Sequence, residues 1–504
     1  MPVVTLIRED FRREVEAPVG QPLIDLLRKE VPSFDFPCAG NHTCGKCGVQ
    51  IEGDYTCREV PAGGGKHLAC CTEILGDCSV YLPAARGQQI VFGAGRTASG
   101  HRPLYSGSYG AAVDIGTTTV AACLFRRGED RPAAVRGEMN MQRAFGSDVL
   151  ARIVYCGQNT VAPLQELICR QIGQMLLDMC REAGIGREEV GGGCITGNTA
   201  MLHTLTGLDP HGISVAPFVP ESLFGGRSCL ALGEFGRMEC YLPPCVSAYV
   251  GGDISCSILA SGVMERERTA MVIDVGTNGE IALYHQGKLT CCSAAAGPAF
   301  EGACISCGLP ACGGAIDRVW GEHGELRYTV IGGTAAEGIC GSGLIDAVCW
   351  ARRLDMLDKR GRPDGMELPI GGSGISLTRR DIGELLLAKA AIRAGIDTLL
   401  YTCRIEAESV EQVVLCGGFG SRLDTDSAVG IGLLPPCFQN RTASIGNAAI
   451  SGAGMVLQDQ TCIRALERIA ALSNTVELSG NPYFHKQYIK SMYLPEIDRD
   501  SQRG

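Results

Sequence analysis

No stretch of the 504-residue chain approaches the run of about eighteen apolar residues needed to cross a membrane, and its start, MPVVTLIRED, lacks a basic segment leading into an apolar one. Neither a membrane span nor a secretion signal is expected, and a cytoplasmic protein follows as the default. Basic runs are also missing. With 55 acidic against 45 basic side chains and a formal charge of −10, nothing could track the phosphates of a polymer, so nucleic acid is not an expected partner. Charged residues make up only 20% of the chain and hydrophobic ones 45%, a balance that argues against extended disorder or a coiled coil. The eight histidines show no H-E-x-x-H or other paired spacing, so His42, His203 and His285 read as surface or core residues.

Cysteine and glycine are abundant instead. The 27 cysteines lie in a chain too long for a disulfide-stapled miniprotein, and they read as reduced thiols or metal ligands in a reducing, anaerobic compartment. The 68 glycines imply many tight turns, or backbone brought close to a ligand. The length predicts two or three cooperating domains. Residues 1–83 begin with the alternating run Val3 to Ile7 and an extended stretch from Phe11 to Glu16. An amphipathic helix from Pro22 to Glu30, a cysteine-rich loop, a strand from Gly48 to Asp54, a glycine turn at 63–65 and a closing strand from Cys78 to Leu82 follow. That outline predicts a small α+β β-grasp. Residues 84–110, rich in Gly, Ser and Arg, read as a linker.

From 111 to 504, short apolar runs alternate with long amphipathic segments, which predicts an α/β architecture. YGAAVDIGTTTVAACLF around Asp114 and TAMVIDVGTNGEIALYH around Asp274 match as strand, D-x-G-T turn and second strand. An internal duplication giving two lobes explains this economically.

Cys38, Cys44 and Cys47 fall in PCAGNHTCGKC and Cys70 in KHLACC, a C-x5-C-x2-C loop with a fourth thiol after 22 intervening residues. Four thiolates on a glycine-rich loop and one returning segment suit an iron–sulfur cluster, because small residues let backbone N–H groups face the sulfides. A structural zinc site would need a second C-x2-C or a paired histidine, and none follows. Adjacent thiols on a strand face opposite ways, so one of Cys70 and Cys71 is expected to be the ligand; Cys57 is a weaker alternative. The spacing resembles that of adrenodoxin-like ferredoxins, and the LAC ending favours Cys70 for a [2Fe–2S] cluster.

In D-I-G-T-T-T, Asp114 ends a strand, Gly116 permits the turn, and Thr117 and Thr118 offer hydroxyl and N–H groups to phosphate oxygens, while the carboxylate holds water on Mg²⁺. Asp274, Gly276, Thr277 and Asn278 offer the same from the second lobe. One such turn is weak evidence, and two in matched contexts are strong. Downstream, VVLCGGFG presents Gly417 and Gly418 as flat backbone for a purine and ribose, and SIGNAAISGAG places small residues at helical spacing for close contact between lobes. Asp253 and Glu301 are acids in glycine-rich turns, a setting whose plain reading is a turn or cap role.

This succession resembles the ATP-binding fold of acetate and sugar kinases, Hsp70 and actin. Fused behind a ferredoxin-like module, and with the stretches SAAAGPAFEGACISCG, EGICGSGLIDAV and NPYFHKQYIKSMYLP, the chain resembles the reductive activators of corrinoid enzymes. The resemblance implies a [2Fe–2S] cluster, ATP and Mg²⁺ as cofactors, with Asp253 or Glu301 positioning an attacking water. It implies delivery of one electron to an inactive Co(II) corrinoid protein, restoring the Co(I) nucleophile of methyl transfer, with an upstream electron donor. Whether the chain forms a homodimer is left open. An ATP-driven donor of the 2-hydroxyacyl-CoA dehydratase activator type would lack the N-terminal module, a redox-sensing ATP-binding protein would not reduce cobalt, and a small-molecule kinase would give a cluster no role. Cys304, Cys307 and Cys312, near Cys291 and Cys292, form no complete four-thiol framework and read as small buried thiols. Tyr483, Phe484, Tyr488 and Tyr493 are expected to pack the tail onto the body, the alternative being part of a partner surface.

Overall fold

A computed structural model of the chain describes all residues except 10, 32–33, 35, 37–41, 43–46, 59–65, 84–101, 147, 419–422 and 497–504. Cys38, Cys44, the glycine turn at 63–65 and most of the expected linker therefore lie outside the described residues.

The N-terminal module contains β1 (Val3–Arg8), β2 (Phe11–Glu16), α1 (Leu23–Glu30), β3 (Gly48–Cys57), β4 (His67–Leu68) and β5 (Thr72–Tyr81). The strands form one mixed sheet in the order β2-β1-β5-β3-β4, with β1 and β5 parallel. The spacing of Leu23, Ile24, Leu26 and Leu27 turns one stripe of α1 into the core against Val4, Leu6 and Val80. This is the β-grasp outline expected. The closing strand starts at Thr72, six residues before the expected Cys78, because Tyr55 to Cys57 continue the pairing with Thr72 to Ile74 past an irregularity at Gly53.

Two lobes follow. The first holds β6 (Tyr109–Ile115), β7 (Thr119–Arg126), β8 (Pro132–Met139), α2 (Val149–Gln158), α3 (Ala162–Ala183), β9 (Val190–Gly197), α4 (Thr199–Thr206), α5 (His211–Ser214), β10 (Gly226–Ala231), β11 (Arg237–Leu242) and α6 (Gly252–Ser261). The second has β12 (Ala270–Val275), β13 (Gly279–His285), β14 (Lys288–Ala294), β15 (Ala315–Glu322), β16 (Glu325–Val330), β17 (Gly338–Ile339), α7 (Gly341–Arg353), β18 (Glu367–Pro369), β19 (Ser376–Thr378) and α8 (Arg379–Cys403). It closes with β20 (Gln412–Cys416), α9 (Thr425–Gly430), β21 (Thr442–Ser444), α10 (Ala448–Gln458), α11 (Cys462–Leu472), β22 (Ser473–Thr475) and α12 (Pro482–Ser491).

The expected duplication is visible in the sheets. In β10-β11-β9-β6-β7-β8 an antiparallel meander carries a parallel neighbour on its first strand, and β21-β20-β12-β13-β14-β22 repeats the plan with β12, β13, β14 and β20. Residues 102–108, assigned from sequence to the linker, pack on the body instead. Leu104 N–H donates to the Leu457 carbonyl (2.8 Å), Tyr105 Oη donates to Gln458 Oε1 (3.0 Å), and β6 begins at Tyr109. Those two apolar side chains supply the burial that the polar composition around them concealed.

Three of the four aromatic side chains of the tail pack as expected, while that of Tyr493 is exposed and only its backbone is held. The rings of Tyr401 and Tyr483 stack 4.0 Å apart, Phe484 and Tyr488 lie on the second-lobe core, and buried Lys389 donates to the Tyr493 carbonyl (2.7 Å).

Between the lobes α6 and α10 run against each other, and their approach is set by glycine. A Cβ on Gly452 would lie 2.2 Å from the Cys256 carbonyl oxygen, so only hydrogen fits there. Gly452→Ala is expected to lower stability by about 1–3 kcal/mol in denaturant unfolding. Gly480→Ala, where nothing lies within 4 Å of the added carbon, should change it by less than about 0.5 kcal/mol.

Candidate functional site

The two D-x-G-T turns face each other across one cleft between the lobes. Asp114 ends β6 and Asp274 ends β12, and each strand delivers its carboxylate to the same opening because the lobes repeat one topology. Gly116 N–H donates back to the Thr119 carbonyl (2.9 Å) and Gly276 N–H to the Asn278 carbonyl (3.0 Å), which closes the two turns. Asp114, Gly116, Thr117, Thr118, Asp253, Asp274, Gly276, Thr277, Asn278, Glu301, Gly417 and Gly418, all singled out from sequence, line this one cleft. Gly417 needs to be glycine: its φ is +94°, and a Cβ would lie 2.6 Å from Asp274 Oδ1. Gly418 has open space beside it.

Four carboxyl groups gather at the base. Burial pushes Asp114 up to about 7, with the Asn447 amide donating to its Oδ2 (2.9 Å) and opposing the rise. Burial, then the charges of Asp114 and Asp274, push Asp253 up to about 8. Asp274 rises to about 6 through burial, and Ser257 Oγ donates to its Oδ2 (3.2 Å). Glu280, the ladder partner of Asp274 on β13, is pushed well above the usual range, again chiefly by burial, and accepts from Ser293 Oγ (3.3 Å). All four residues keep some exposed surface, so these groups are walled by protein rather than sealed from solvent. Among the described residues their oxygens do not close into a three-ligand group.

Glu301 stands apart from that set. It accepts hydrogen bonds from Thr118 Oγ1 and, at 2.9 Å, from Thr277 Oγ1, while the two hydroxyl oxygens are 3.2 Å apart. One carboxylate thus ties the two turns across the cleft. Asn198, which caps α4, also donates to Thr117 Oγ1 (3.2 Å).

Sequence reasoning missed Glu280 and Asn447. Glu280 could have been found by alternation: its first-lobe counterpart, Ala121, also pairs with the strand-end aspartate, so a side chain at this register faces the same opening. Asn447 caps α10 within the stretch noted for close packing, and only the folded chain brings it to Asp114, 333 residues away.

In the N-terminal module, Cys47 Sγ and Cys70 Sγ lie 3.3 Å apart, so two of the four expected ligands converge; Cys38 and Cys44 are outside the described residues. Cys70 and Cys71 do not face opposite ways. Ala69 to Cys71 form a 3₁₀ turn rather than a strand, which brings the adjacent sulfurs to 3.8 Å. His42, exposed as expected, places Nδ1 3.2 Å from Cys70 Sγ and 3.0 Å from Cys71 Sγ, a grouping that no spacing in the sequence announced. Burial, followed by the neighbouring Cys47 thiol, pushes Cys70 up. The thiols can ionise together only against positive charge, which is what a bound iron–sulfur cluster presents, so this donor set fits one. His203 is a satisfied core residue, with Nδ1 2.7 Å from the Thr199 carbonyl oxygen. Cys291, Cys292 and Cys312 are buried thiols as expected, Cys307 is half-buried, and Cys304 is exposed.

The family described as the C-terminal domain of RACo, the ASKHA domain, matches residues 268–503, and the RACo middle region matches 109–266. The corrinoid activation enzyme RamQ of Eubacterium limosum is 31% identical over 415 residues, covering 76% of this chain and 69% of that protein. A [Co(II) methylated amine-specific corrinoid protein] reductase of Methanosarcina barkeri is 29% identical over 256 residues, 46% of each chain. A solved structure of a reductive activator for corrinoid, iron-sulfur protein is similar over 98% of this chain and 99% of its own, with 26% identity and a TM-score of 0.74. With this two-lobed actin-like fold and this relationship, the chain belongs to the family of reductive activators of corrinoid proteins.

Proposed function

We propose that the protein uses ATP to deliver single electrons to an inactive Co(II) corrinoid protein, restoring the Co(I) state that accepts methyl groups. What supports this most is the presence, in one chain, of converging thiols at Cys47 and Cys70 and a two-lobed acidic cleft. The relatives are named for corrinoid activation and for reduction of a Co(II) corrinoid protein, and the likeness to a reductive activator covers nearly the whole chain.

Cys38, Cys44, Cys47 and Cys70 would hold a [2Fe–2S] cluster, which supplies one-electron chemistry at low potential when bound. An upstream donor reloads it. The 3₁₀ turn at 69–71 keeps Cys70 at the module surface while Ala69 and Cys71 anchor it in the core. At the cleft, Asp114 and Asp274 would hold Mg²⁺ through water. Thr117, Thr118, Thr277 and Asn278 would take phosphate oxygens, Gly417 and Gly418 would lie against the adenosine, and Asp253 would orient water. One-electron potentials shift by about 59 mV per factor of ten, so coupling on the order of 10 kcal/mol offsets about 0.4 V. Coupling of that kind requires the nucleotide-bound and free forms to differ in how they meet the corrinoid partner.

Anaerobic mixing of the reduced, iron-loaded protein with a Co(II) corrinoid protein should give the Co(I) absorbance only when Mg-ATP is present. Cys70→Ser should abolish that signal and alter the visible absorbance of the loaded protein, with nucleotide affinity within about twofold of wild type. ATP turnover with no cobalt change for any corrinoid protein tried would refute the assignment.

The raised carboxyls make a second prediction. Free aspartates lose their protons near pH 4, whereas Asp274, Asp114 and Asp253 hold theirs to about 6, 7 and 8. Between pH about 4 and 8 the folded state binds more protons than the unfolded one, so these groups lower stability progressively as pH rises. Asp253→Asn, without nucleotide or divalent cation, should therefore be more stable than wild type at pH 9, by about 1–2 kcal/mol after allowing for solvent in the cleft. The margin should shrink toward pH 5, and Mg-ATP hydrolysis should be lost throughout.

A further inference from the structure

The segment between β8 and α2 touches both the cleft and the N-terminal module. On its inner side it holds the first phosphate turn by the backbone. Asn140 N–H donates to the Thr118 carbonyl (2.8 Å), and its side-chain amide donates to the Gly116 carbonyl (2.8 Å). Arg152 of α2, wholly buried, donates to the carbonyl between them, that of Thr117, and its Nε donates to the Gly146 carbonyl (2.9 Å). Three consecutive carbonyls of the turn are gripped from behind. Because each peptide is planar and trans, a fixed carbonyl also fixes the direction of the next N–H, so this grip aims the N–H groups of 117 to 119.

On its outer side the same segment is held by the thiol module. Met141 to Ala144 form a single 3₁₀ turn, capped by Asn140 Oδ1 accepting from Gln142 N–H (3.0 Å), and the Ala144 carbonyl accepts from Arg28 Nε at 2.6 Å. Arg28 lies in the last turn of α1, its guanidinium over the Phe36 ring and 3.4 Å from the Asp25 carboxylate. The groove beside it is lined by His42, Cys70 and Cys71. A charged donor on a buried carbonyl is among the stronger hydrogen bonds a protein makes, and Ala144 has only 1% of its surface exposed.

We propose that Arg28 is a positioning residue for the nucleotide turn, through which occupancy of the cleft is transmitted to the thiol module and back. This rests on the nucleotide and thiol assignments above. A coupling route needs an element with two arrangements, and the turn has the means for both. Its Thr118 hydroxyl, with that of Thr277, is bonded to Glu301, and a phosphate group taking those hydroxyls must displace the carboxylate. Any movement of Gly116 to Thr118 pulls on Asn140, on the 3₁₀ turn it caps, and so on the carbonyl that Arg28 holds. Linkage makes the effect reciprocal: if nucleotide alters the Arg28 contact, loss of that contact alters nucleotide affinity by the same factor.

The test uses the full-length protein, Arg28→Ala and Arg28→Lys, with a non-hydrolysable ATP analogue and Mg²⁺. Two readouts are taken: analogue affinity, and amide hydrogen exchange over residues 23–30. In wild type the analogue should change exchange in α1. Arg28→Ala should shift analogue affinity by about two- to thirtyfold and abolish the α1 response, and Arg28→Lys, which retains a charged donor, should fall between. A purely structural role would lower the melting temperature and leave the nucleotide response of α1 in place. Wild type that binds the analogue with α1 silent, or Arg28→Ala with unaltered affinity and response, overturns the proposal alone. Wild type that binds no analogue overturns the cleft assignment and this proposal with it.

Discussion

Five carboxyl groups share one cleft, and no lysine or arginine is among the described residues that line it. The consequences of that imbalance run through the molecule. Burial disfavours the charge of Asp114, Asp253, Asp274 and Glu280, since the surrounding protein cannot hydrate them as bulk water would, and for all but Asp274 a neighbouring carboxylate adds to the effect. Under the proposed function, a nucleotide would enter such a site more readily with a divalent cation than without one. The buried cation Arg152, held behind the Thr117 carbonyl, is close enough to Glu301 for their charges to interact.

A chain can keep four acids together only if the elements bearing them are fixed by something stronger than their repulsion. Here the fixing comes from two copies of one topology. The aspartates sit at the ends of β6 and β12, central strands paired on both sides, and α6 and α10 pack so tightly across the middle that Gly452 cannot carry a side chain. Duplication places two turns symmetrically, and function resides where the symmetry breaks. The first lobe has Ala121 where the second has Glu280, and the first turn has one more residue than the second between its ladder ends. One lobe is thus richer in hydroxyls and the other in carboxylates, an asymmetry a directional nucleotide can use.

The pieces legible in the sequence were those that depend on neighbours in the chain. A strand ending in D-x-G-T, an apolar stripe on residues 22–30, and a C-x5-C-x2-C loop announce themselves because turn geometry, helical period and ligand spacing are local properties. The twelve cleft residues named from sequence were reachable in this way. What escaped depends on distance in the chain. Asn447 meets Asp114 only because α10 crosses the first lobe, and His42 meets Cys70 and Cys71 only because the fold brings it over the 3₁₀ turn. That turn also defeated the inference from strand alternation, since two adjacent thiols in a helical turn lie on one side. The boundary near residue 109 was misplaced for a related reason: two buried side chains, Leu104 and Tyr105, anchor a stretch whose average composition is that of a linker.

Glu301 shows how the cleft can carry a signal as well as a ligand. One carboxylate satisfies the hydroxyls of both turns and ties the lobes together. A terminal phosphate offers the same hydroxyls more acceptor oxygens and more charge, so it can replace Glu301 in its contacts while expelling it as a like charge. Under the proposed nucleotide role, a change at this bridge would act on the turn whose carbonyls Asn140 and Arg152 hold from behind. The contact between two side-chain hydroxyls and one carboxylate would then sense the ligand, and the backbone around Gly116 would carry the change outward.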